Sequence, residues 1–369
     1  MVLLWQFLTV HYNYRDDWTA LYYTGAHRRV PPQIENEQIY LFAGSQGYDG
    51  QFYHFIAHDP WMRHGSAPFV DNPRLRWRRI LVPALAWLGA LGQSDFVDSA
   101  YFAVLLGFVF LGAYWLSRYL RRYNLPQGWG AVFALVPAVL ISMDRGTVDV
   151  ALAALCVGFA LYAVAEPSPK IYPVLALAPL ARETGICLIA AFAVVQLRRR
   201  NWQSALLAVA MGLPFCAWML FLHSRTAPDY TVFASLLPFQ GLVLRTVHPL
   251  QYSTTSAWLR KAAALDYLAI LGIWAALITT PANWFSFDEL EGATLAFAAT
   301  AVFLAQPQAW GEAYSFGRTM SPLLLCVALA GLRRRRWWTL APMAMVLPRI
   351  FLQLATEWRG LLHRVVAGS

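Results

Sequence analysis

Residues 97–118 read VDSAYFAVLLGFVFLGAYWLSR, and the only charged residues in this run are Asp98 near its start and Arg118 at its end. About 17–25 predominantly apolar residues are enough for an α-helix to cross the hydrocarbon core of a bilayer. A run of this length with so little charge is atypical of a soluble protein surface. It therefore predicts a membrane-spanning helix.

The composition of the whole chain supports the same prediction. Of its 369 residues, 58% are hydrophobic and 13% are charged, whereas about 25% are charged in a typical soluble domain. The sequence predicts an all-α, polytopic membrane helical bundle with about 10–11 spanning helices, forming a single membrane domain over 1–369. The apolar blocks lie at 2–11, 79–92, 97–118, 129–143, 146–165, 171–181, 184–197, 203–222, 263–280, 291–305, 318–332 and 337–355.

Arginine supplies nearly all of the positive charge, because the net charge is +9 and the chain has only two lysines. Three arginine clusters, at 118–122, 198–200 and 333–336, lie between apolar blocks. Short cytoplasmic loops are enriched in basic residues, so we place all three clusters in the cytoplasm. We expect no nucleic-acid binding, since the arginines lie at helix ends rather than on one soluble face.

This orientation assigns the remaining regions. Segment 25–92 becomes a long first extracytoplasmic loop, and its block 79–92 is expected to be a helix lying in the membrane interface, because it is too short to span upright. The core helices occupy 97–222, a second extracytoplasmic loop occupies 223–262, and the C-terminal helices occupy 263–369.

The first apolar block, 2–11, is also too short for a full span. Aromatic residues are common at the membrane–water interface, so Tyr12, Tyr14 and Trp18 can extend this helix. The alternative is that the natural chain begins upstream of Met1, and we favour this alternative.

A polar cluster in the first loop reads GYDGQFY over residues 47–53. Asp49 stands there on a turn-forming stretch, and the glycines on either side of Tyr48 and Asp49 let a substrate approach the backbone closely. The Asp49 carboxylate can take a proton from an acceptor hydroxyl as a general base. The alternative is an aspartate that caps the following helix. Tyr48, Gln51 and Tyr53 are candidates for substrate binding.

The same cluster continues with two histidines and a second aspartate. His54 and His58 stand one helical turn apart, and such a pair can present two metal ligands on one face. No third ligand follows from the spacing, so no residue is assigned to a metal and a divalent metal remains an open alternative. We assign both histidines to acceptor binding. Asp59 is the second candidate for the base.

A second polar cluster reads MDRGTVD over residues 143–149. Asp144 and Arg145 form either a local pair or part of a substrate site. Asp149 lies at the start of an otherwise apolar helix, where a carboxylate is expensive and usually pairs or serves a site. It is expected either to orient an acceptor or to pair with Arg182.

A third cluster, Arg182 and Glu183, interrupts an apolar run between two short helices. Broken helices are tolerated at membrane depth where they line a cavity. Arg182 is the first candidate to hold a donor phosphate, because guanidinium groups bind phosphate oxygens in pairs. Glu183 is expected to neutralise or orient an arginine.

Further arginines fall on the outer side, against the positive-inside trend. Arg74 and Arg78 belong to the run RLRWRR at 74–79, and Arg318 belongs to SFGRT at 315–319. Basic residues on this side indicate contact with anionic headgroups or a lipid phosphate. All three arginines are candidates for substrate binding.

Together these features resemble the GT-C superfamily of integral membrane glycosyltransferases, which includes aminoarabinose and mannosyl transferases that use polyprenyl-phosphate sugars. An acidic residue in the first outer loop, Asp149 opening a later helix and Arg182 at a helix break carry the resemblance. The local motifs, within about residues 40–200, look like a bacterial branch linked to cell-surface glycopolymer formation. They are GYDGQFY (47–53), HDP (58–60), DNP (71–73), RRIL (78–81), DR with VD (144–149) and RETG (182–185).

The resemblance implies an inverting transfer from a polyprenyl-phosphate-linked sugar to a glycan or lipid acceptor, among membrane lipids, on the periplasmic face of the bacterial inner membrane. The first-loop carboxylate is the usual candidate base in the superfamily. That role falls on Asp49, with Asp59 as the alternative. Metal dependence varies among members, so no cofactor is assigned. Two other functions remain open: a transporter or flippase for lipid-linked glycans, and a non-catalytic subunit of a polysaccharide assembly complex.

Overall fold

The computed structural model of the chain describes residues 2–229, 231, 233–252, 256–282 and 287–367. This part of the chain is almost entirely helical, and its two short strands, β1 (Thr24–Gly25) and β2 (Leu41–Phe42), pair in parallel. The α-helices are α1 (Val2–Tyr14), α2 (Asp49–His58), α3 (Pro73–Trp77), α4 (Leu81–Gly89), α5 (Ser94–Arg122), α6 (Pro137–Arg145), α7 (Asp149–Phe159), α8 (Ile171–Ala181), α9 (Ile186–Arg198), α10 (Trp202–Ala210), α11 (Leu213–Arg225), α12 (Gln240–Val247), α13 (Ala257–Ala282), α14 (Glu289–Phe303), α15 (Ala313–Leu332) and α16 (Ala341–Ala367).

Five helical stretches of the described chain are long and apolar enough to cross a membrane, or six if one bent pair counts as a single span. The bent pair joins the 3-10 helix Gln127–Leu135 to α6 at 57°. The all-α prediction is confirmed in this form, whereas the predicted count of about 10–11 spans exceeds what helix length supports. The five stretches are Ser94–Arg122, Trp202–Arg225, Ala257–Pro281, Ala313–Leu332 and Trp337–His363.

Several predicted spans fold as helices too short to cross a bilayer alone. Block 146–165 forms α7 followed by a π-helical segment, Ala160–Ala165, and a 3-10 turn, Glu183–Gly185, separates α8 from α9. An α-helix rises about 1.5 Å per residue, so α8 rises about 16 Å, roughly half of the hydrocarbon core. The break between α8 and α9 falls at Arg182, which is buried. The apolar runs are therefore real helices, but their breaks lie inside the bundle.

The three arginine clusters lie at one end of the bundle, which we call the basic end. Arg199 pairs with Glu289 at the start of α14, and Arg333 pairs with the preceding residue, Asp288. Tyr119, within the first cluster, donates a hydrogen bond of 2.9 Å to the backbone carbonyl of Leu329, four residues before Arg333. A shared end is what the predicted topology requires of the three clusters.

The first loop folds as short helices at the other end of α5. Every residue of α2 after Asp49 is buried, so this helix belongs to the core. At the start of α3, the Asn72 side chain accepts a hydrogen bond of 3.0 Å from the Leu75 backbone N–H. The predicted interfacial helix at 79–92 corresponds to α4, which leads directly into α5.

The predicted second loop, 223–262, is partly helical. It contains α12, and α13 begins within its predicted bounds, at Ala257. The carbonyl of Phe233 accepts a hydrogen bond of 2.9 Å from the backbone N–H of Ala305, just after α14. This loop therefore lies against the end of α14 that is opposite the basic end.

Candidate functional site

Asp49 lies in a chain of ion pairs at the end of the bundle opposite the basic end. Its Oδ2 accepts from Arg76 Nη1 at 2.8 Å and also forms an ion pair with Arg318 Nη2. Because Arg76 lies on α3 and Arg318 on α15, this carboxylate joins the first loop to a long apolar helix. Asp49 is the first residue of α2 rather than its cap, since the capping position is Tyr48 and no side chain caps this helix.

The two arginines determine the protonation state of Asp49. Burial by itself would raise the pKa of its carboxyl group, but the charges of Arg318 and Arg76 outweigh burial and hold that pKa well below its usual range. The group is therefore ionised at neutral pH. This state differs from that of an efficient general base, which has a pKa near the working pH.

The chain of ion pairs continues from Arg318 into the bundle. Arg318 Nη1 lies 3.4 Å from Asp149 Oδ2, and the other oxygen of Asp149 pairs with Arg182 Nη1. Arg182 Nη2 also donates to Thr319 Oγ1 at 3.0 Å. Of the two alternatives for Asp149, the structure shows the ion pair with Arg182. Asp49, Asp149, Arg182 and Arg318 come from distant parts of the sequence and meet in one network.

A second ion pair lies next to this network. Arg79 binds Glu183 through two parallel hydrogen bonds, Nε–Oε2 at 3.0 Å and Nη2–Oε1 at 2.8 Å. The remaining terminal nitrogen, Nη1, donates to the Tyr53 hydroxyl at 3.2 Å. Glu183 thus neutralises an arginine, as the sequence suggested, and Tyr53 helps to hold that arginine in place.

A cavity of about 540 Å³ opens beside these arginines, and its two walls differ in chemistry. One wall carries charged side chains of the first loop and of the α8–α9 break. Another part of the lining is formed by apolar residues at the end of α14. The charged residues are Arg78, Arg79, Arg182 and Glu183, and the apolar ones include Ala296, Ala299, Phe303 and Leu304.

Two arginines that line the cavity each have an N–H group that makes no hydrogen bond to the described residues. The Nε groups of Arg78 and Arg182 are buried and have no hydrogen-bond partner among the described residues. A buried donor without a partner costs about 1–3 kcal/mol, and guanidinium N–H groups bind phosphate oxygens well. Both side chains line the cavity, so an anionic ligand oxygen can bind these donors once the guanidinium groups turn toward it. Asp49 itself does not line the cavity and reaches it only through Arg318, Asp149 and Arg182.

A larger cavity of about 820 Å³ lies at the basic end, far from this network. Arg118, Arg122 and Lys170 contribute to its wall, and Arg118 pairs there with Glu166. It contains none of the predicted site residues. The smaller, two-sided cavity is instead lined by three of the predicted site residues, Arg78, Arg182 and Glu183.

The side chains next to Asp49 mainly support the local fold. The Arg318 guanidinium group lies over the ring of Tyr48, 5.0 Å from its centroid. Gln51 accepts from the Gly25 backbone N–H at 3.2 Å and donates to the loop backbone at 3.1 Å. Tyr48 therefore positions an arginine of the network, and Gln51 fastens the loop to α2.

The two glycines around Tyr48 and Asp49 serve packing rather than access. Gly47 has φ +81°, in the left-handed region that favours glycine. A Cβ atom on Gly50 would collide with the backbone carbonyls of Arg145 and Tyr22. The predicted space for a substrate at Gly50 is therefore taken by the protein's own backbone.

Asp59, the alternative base, is placed as a loop-stabilising residue. Its carboxylate accepts hydrogen bonds from the backbone N–H groups of Arg63 at 2.7 Å, His64 at 3.0 Å and Ser66 at 3.3 Å. It follows Asp49 by ten residues, which corresponds to about 15 Å of helix rise. The geometry thus separates Asp59 from the ion-pair network.

Arg145 and Arg74 also lie outside the network. Arg145 Nε forms its local pair with Asp144 Oδ2 at 2.9 Å, and its Nη2 lies 3.4 Å from Glu357 Oε1. Arg74 donates to the Thr226 side chain at 2.9 Å and to the Thr226 carbonyl at 2.6 Å. Both arginines tie helices together, and neither lines the two-sided cavity.

His54 and His58 lie in a separate cluster with Glu37 and Asp98. Among the described residues, these four offer ligand atoms that all lie within 4.8 Å of one another, a geometry that can hold a metal ion. His54 Nε2 lies 3.0 Å from Asp98 Oδ1 and 3.7 Å from Glu37 Oε2. Burial lowers the pKa of His54, but Asp98 and Glu37 outweigh it and raise that pKa to about 9. Neither histidine lines the two-sided cavity, and the acceptor role predicted for both stays a prediction.

Sequence reasoning missed several members of these clusters. Arg76 and Arg79 belong to the basic run at 74–79. Their spacing of three residues puts them on one face of a helical turn. Only the structure shows that this face meets Asp49 and Glu183. Thr319, adjacent to Arg318, had no signal of its own.

Comparisons with protein-family models, with curated proteins and with solved structures find no match for this chain.

Proposed function

We propose that this protein is a membrane glycosyltransferase. It moves a sugar from a polyprenyl-phosphate donor to an acceptor of a cell-surface glycan or lipid, with inversion, on the extracytoplasmic face. The observation that carries the proposal is the two-sided cavity, with arginines on one wall and apolar residues of α14 on the other. A polyprenyl-phosphate sugar has the same two parts, an anionic phosphate and a long hydrocarbon chain.

The arginines give the donor phosphate its binding site. Arg182 and Arg78 offer buried Nε donors without partners among the described residues, and Arg79 adds a third guanidinium group to the same wall. The hydrocarbon chain lies along α14, where Phe303 is 42% exposed. Charge-assisted hydrogen bonds are about twice as strong as neutral ones, so the phosphate anchors the donor.

In the proposed reaction the acceptor hydroxyl attacks the anomeric carbon from the face opposite the phosphate. The bond between that carbon and the phosphate oxygen breaks, and the polyprenyl phosphate leaves with the electron pair. Because Asp49 does not line the cavity, the acceptor must reach across to its carboxylate, which is 18% exposed and takes the hydroxyl proton. A phosphate bound at Arg182 competes with Asp149 for that arginine. Asp149 then draws Arg318 closer to itself and away from Asp49. Loss of Arg318 raises the pKa of the Asp49 carboxyl group, while Arg76 continues to lower it.

A flippase for lipid-linked glycans is the second candidate, and one observation favours it. Asp49 is held by both Arg76 and Arg318, an arrangement that suits a charged latch as well as a base. A flippase needs the cavity and its arginines but no proton transfer. Turnover of a donor by the purified chain therefore separates the two functions, and it also excludes a subunit that acts only inside a larger complex.

The first experiment measures binding to a defined probe. Undecaprenyl phosphate should bind the purified protein in nanodiscs, and undecaprenol, which lacks the phosphate, should bind far more weakly. Arg182→Gln should weaken the phosphate probe by roughly tenfold or more, the effect of losing one or two charge-assisted hydrogen bonds. Arg121→Gln, which replaces an exposed arginine of the basic end that belongs neither to the ion-pair network nor to the lining of the two-sided cavity, is the matched control. Equal affinity for the two probes would contradict the proposal.

The second experiment measures turnover. The protein is incubated with a panel of undecaprenyl-phosphate hexoses, and release of undecaprenyl phosphate is followed by mass spectrometry. Asp49→Asn should reduce release by roughly 10²-fold or more and leave the affinity for undecaprenyl phosphate within about threefold. Unchanged release in Asp49→Asn would show that Asp49 is not the base. Binding of every donor without release by the wild type would favour the flippase.

A further inference from the structure

The cluster of Glu37, His54, His58 and Asp98 lies apart from the ion-pair network, and the proposed sugar transfer does not use it. We propose that these four side chains bind one divalent metal ion of the zinc type, which fastens α2 and the first loop to α5. The ligands come from three parts of the chain: Glu37 from the first loop, His54 and His58 from α2, and Asp98 from α5.

The separations between the four side chains suit a tetrahedral ion. His54 Nε2 and His58 Nε2 lie 3.0 Å and 3.4 Å from Asp98 Oδ1, and Glu37 Oε2 lies 3.7 Å from His54 Nε2. Ligands placed about 2.0–2.1 Å from a tetrahedral zinc ion are about 3.3 Å from one another. Because all of the ligand atoms lie within 4.8 Å of one another, each pair needs to close by at most about 1.5 Å to surround a metal ion.

The cluster also contains buried polar atoms without hydrogen bonds. His54 is fully buried; its Nε2 lies 3.0 Å from Asp98 Oδ1 without forming an aligned hydrogen bond, and its Nδ1 has no hydrogen-bond partner among the described residues. Glu37 Oε2 has none either. A buried polar group without a partner is destabilising, and a coordinated cation would satisfy both His54 Nε2 and Glu37 Oε2.

The residues around the cluster orient its ligands as outer partners do in metal sites. His58 Nδ1 lies 2.9 Å from Ser94 Oγ, and Ser94 Oγ donates to Glu37 Oε1 at 3.0 Å. Because these hydrogen bonds occupy His58 Nδ1, the other ring nitrogen, Nε2, is left to bind the metal. The Tyr22 hydroxyl donates to Asp98 Oδ1 at 2.9 Å. Its ring stacks on the ring of His54 with 4.1 Å between centroids.

The donor set selects the class of metal and its role. Two imidazoles with two carboxylates suit zinc, whereas magnesium and calcium prefer oxygen ligands alone. Four protein ligands close a tetrahedral shell, as in structural zinc sites. The side chains of Glu37 and Asp98 are 26% and 25% exposed, so the ion can enter from their side. Because Asp49 begins the helix that carries both histidines, the ion would also hold Asp49 in position.

The test uses the full chain without an affinity tag, purified in detergent, stripped with EDTA and then loaded with Zn²⁺ or Co²⁺. We expect about one zinc per chain by mass spectrometry of the metal, and the intense visible absorption of tetrahedral Co²⁺. Asp98→Asn and His58→Ala should each weaken Zn²⁺ binding by roughly tenfold or more. His11→Ala is the matched control, since His11 pairs with Asp16 at the surface, and it should keep the metal.

The melting temperature, Tm, provides a second readout of metal binding. Zn²⁺, but not Mg²⁺, should raise the Tm of the EDTA-treated wild type, because a ligand that binds only the folded state stabilises it. The same rise should occur in His11→Ala and be lost in Asp98→Asn. If Asp98→Asn does not fold, the wild-type Co²⁺ spectrum decides. A weak octahedral spectrum in the wild type, or equal zinc in the wild type and a folded Asp98→Asn, would overturn the proposal.

Discussion

Arg318 and Asp49 form an ion pair although 269 residues separate them in the sequence. Arg318 lies on α15, one of the five long apolar helices, and Asp49 begins α2 of the first loop. The same guanidinium group approaches Asp149 at 3.4 Å. One arginine thus holds one buried carboxylate, Asp149, and one half-buried carboxylate, Asp49, and it fixes the first loop on the bundle. Everything proposed for the cavity depends on this contact, because it aligns the loop with the α8–α9 break.

Replacing Arg318 tests how much the contact stabilises the fold. Removing one member of a buried ion pair leaves an uncompensated charge and costs about 3–5 kcal/mol. We expect Arg318→Gln to lie near the lower limit, because Asp49 keeps Arg76 and Asp149 keeps Arg182. The free energy of unfolding can be measured by SDS titration of detergent-solubilised protein.

A double variant separates the ion pair from a general packing effect. Arg318→Gln combined with Asp49→Asn should be less destabilised than the sum of the two single variants, with a coupling of about 1 kcal/mol or more. Arg121→Gln, which replaces an exposed arginine at the basic end, should change the stability by less than about 0.5 kcal/mol. Additive single variants would show that Arg318 and Asp49 do not interact in the folded protein.

Gly50 offers a second test of the packing around Asp49. A Cβ atom there would collide with the backbone carbonyls of Arg145 and Tyr22. Gly50→Ala should therefore destabilise the protein by about 1–3 kcal/mol, the usual cost of overpacking. It should also weaken undecaprenyl phosphate binding, because α2 must shift to make room.

Gly107→Ala is the matched control for that substitution. Gly107 lies within α5, and a Cβ atom there meets no other atom within 4 Å. Alanine favours a helix over glycine by up to about 1 kcal/mol, so this variant should be neutral or slightly stabilised. Equal behaviour of the two variants in thermal unfolding would contradict the close packing of Gly50 on the Arg145 carbonyl.

Much of the fold could be predicted from local patterns of the sequence. Residues 97–118 predicted α5, and the sparse charge predicted an all-α membrane bundle. The pairing of Asp149 with Arg182 was one of two alternatives, since a carboxylate and a guanidinium group in apolar surroundings need each other. The number of spans could not be predicted, because an apolar run does not show whether its helix breaks halfway, as block 129–143 does between the 3-10 helix Gln127–Leu135 and α6.

The candidate site was predicted less completely, because its contacts join distant residues. The spacing of His54 and His58 suggested half of a metal site, but Glu37 and Asp98 arrive from other segments. Arg76 was visible as one charge in a basic run, and nothing local identified Asp49 as its partner. Charge composition therefore predicts that such residues must pair, whereas only the packing of the helices decides which ones do.

Replacing Asp59 tests which of the two aspartates, Asp49 or Asp59, acts as the base. Its carboxylate accepts three backbone hydrogen bonds from the turn after α2, and hydrogen bonds to a charged group contribute about 1.5–3 kcal/mol. Asp59→Ala should lower the stability by about that amount and leave the affinity for undecaprenyl phosphate unchanged. A loss of turnover at unchanged Tm would instead make Asp59 the better candidate for the base.

The orientation of the bundle can be tested by cysteine labelling of the full chain in intact cells. In a background in which the exposed Cys216 is replaced by serine, a membrane-impermeant maleimide should label Glu35→Cys in the first loop. It should label Gln127→Cys and Arg200→Cys, at the basic end, only after permeabilisation, because short basic loops stay in the cytoplasm. The reverse pattern would put the Asp49–Arg318 network on the cytoplasmic side. The cavity would then open to the wrong leaflet for a donor used outside the cell, and the proposed transfer would fail even if the ion pairs were intact.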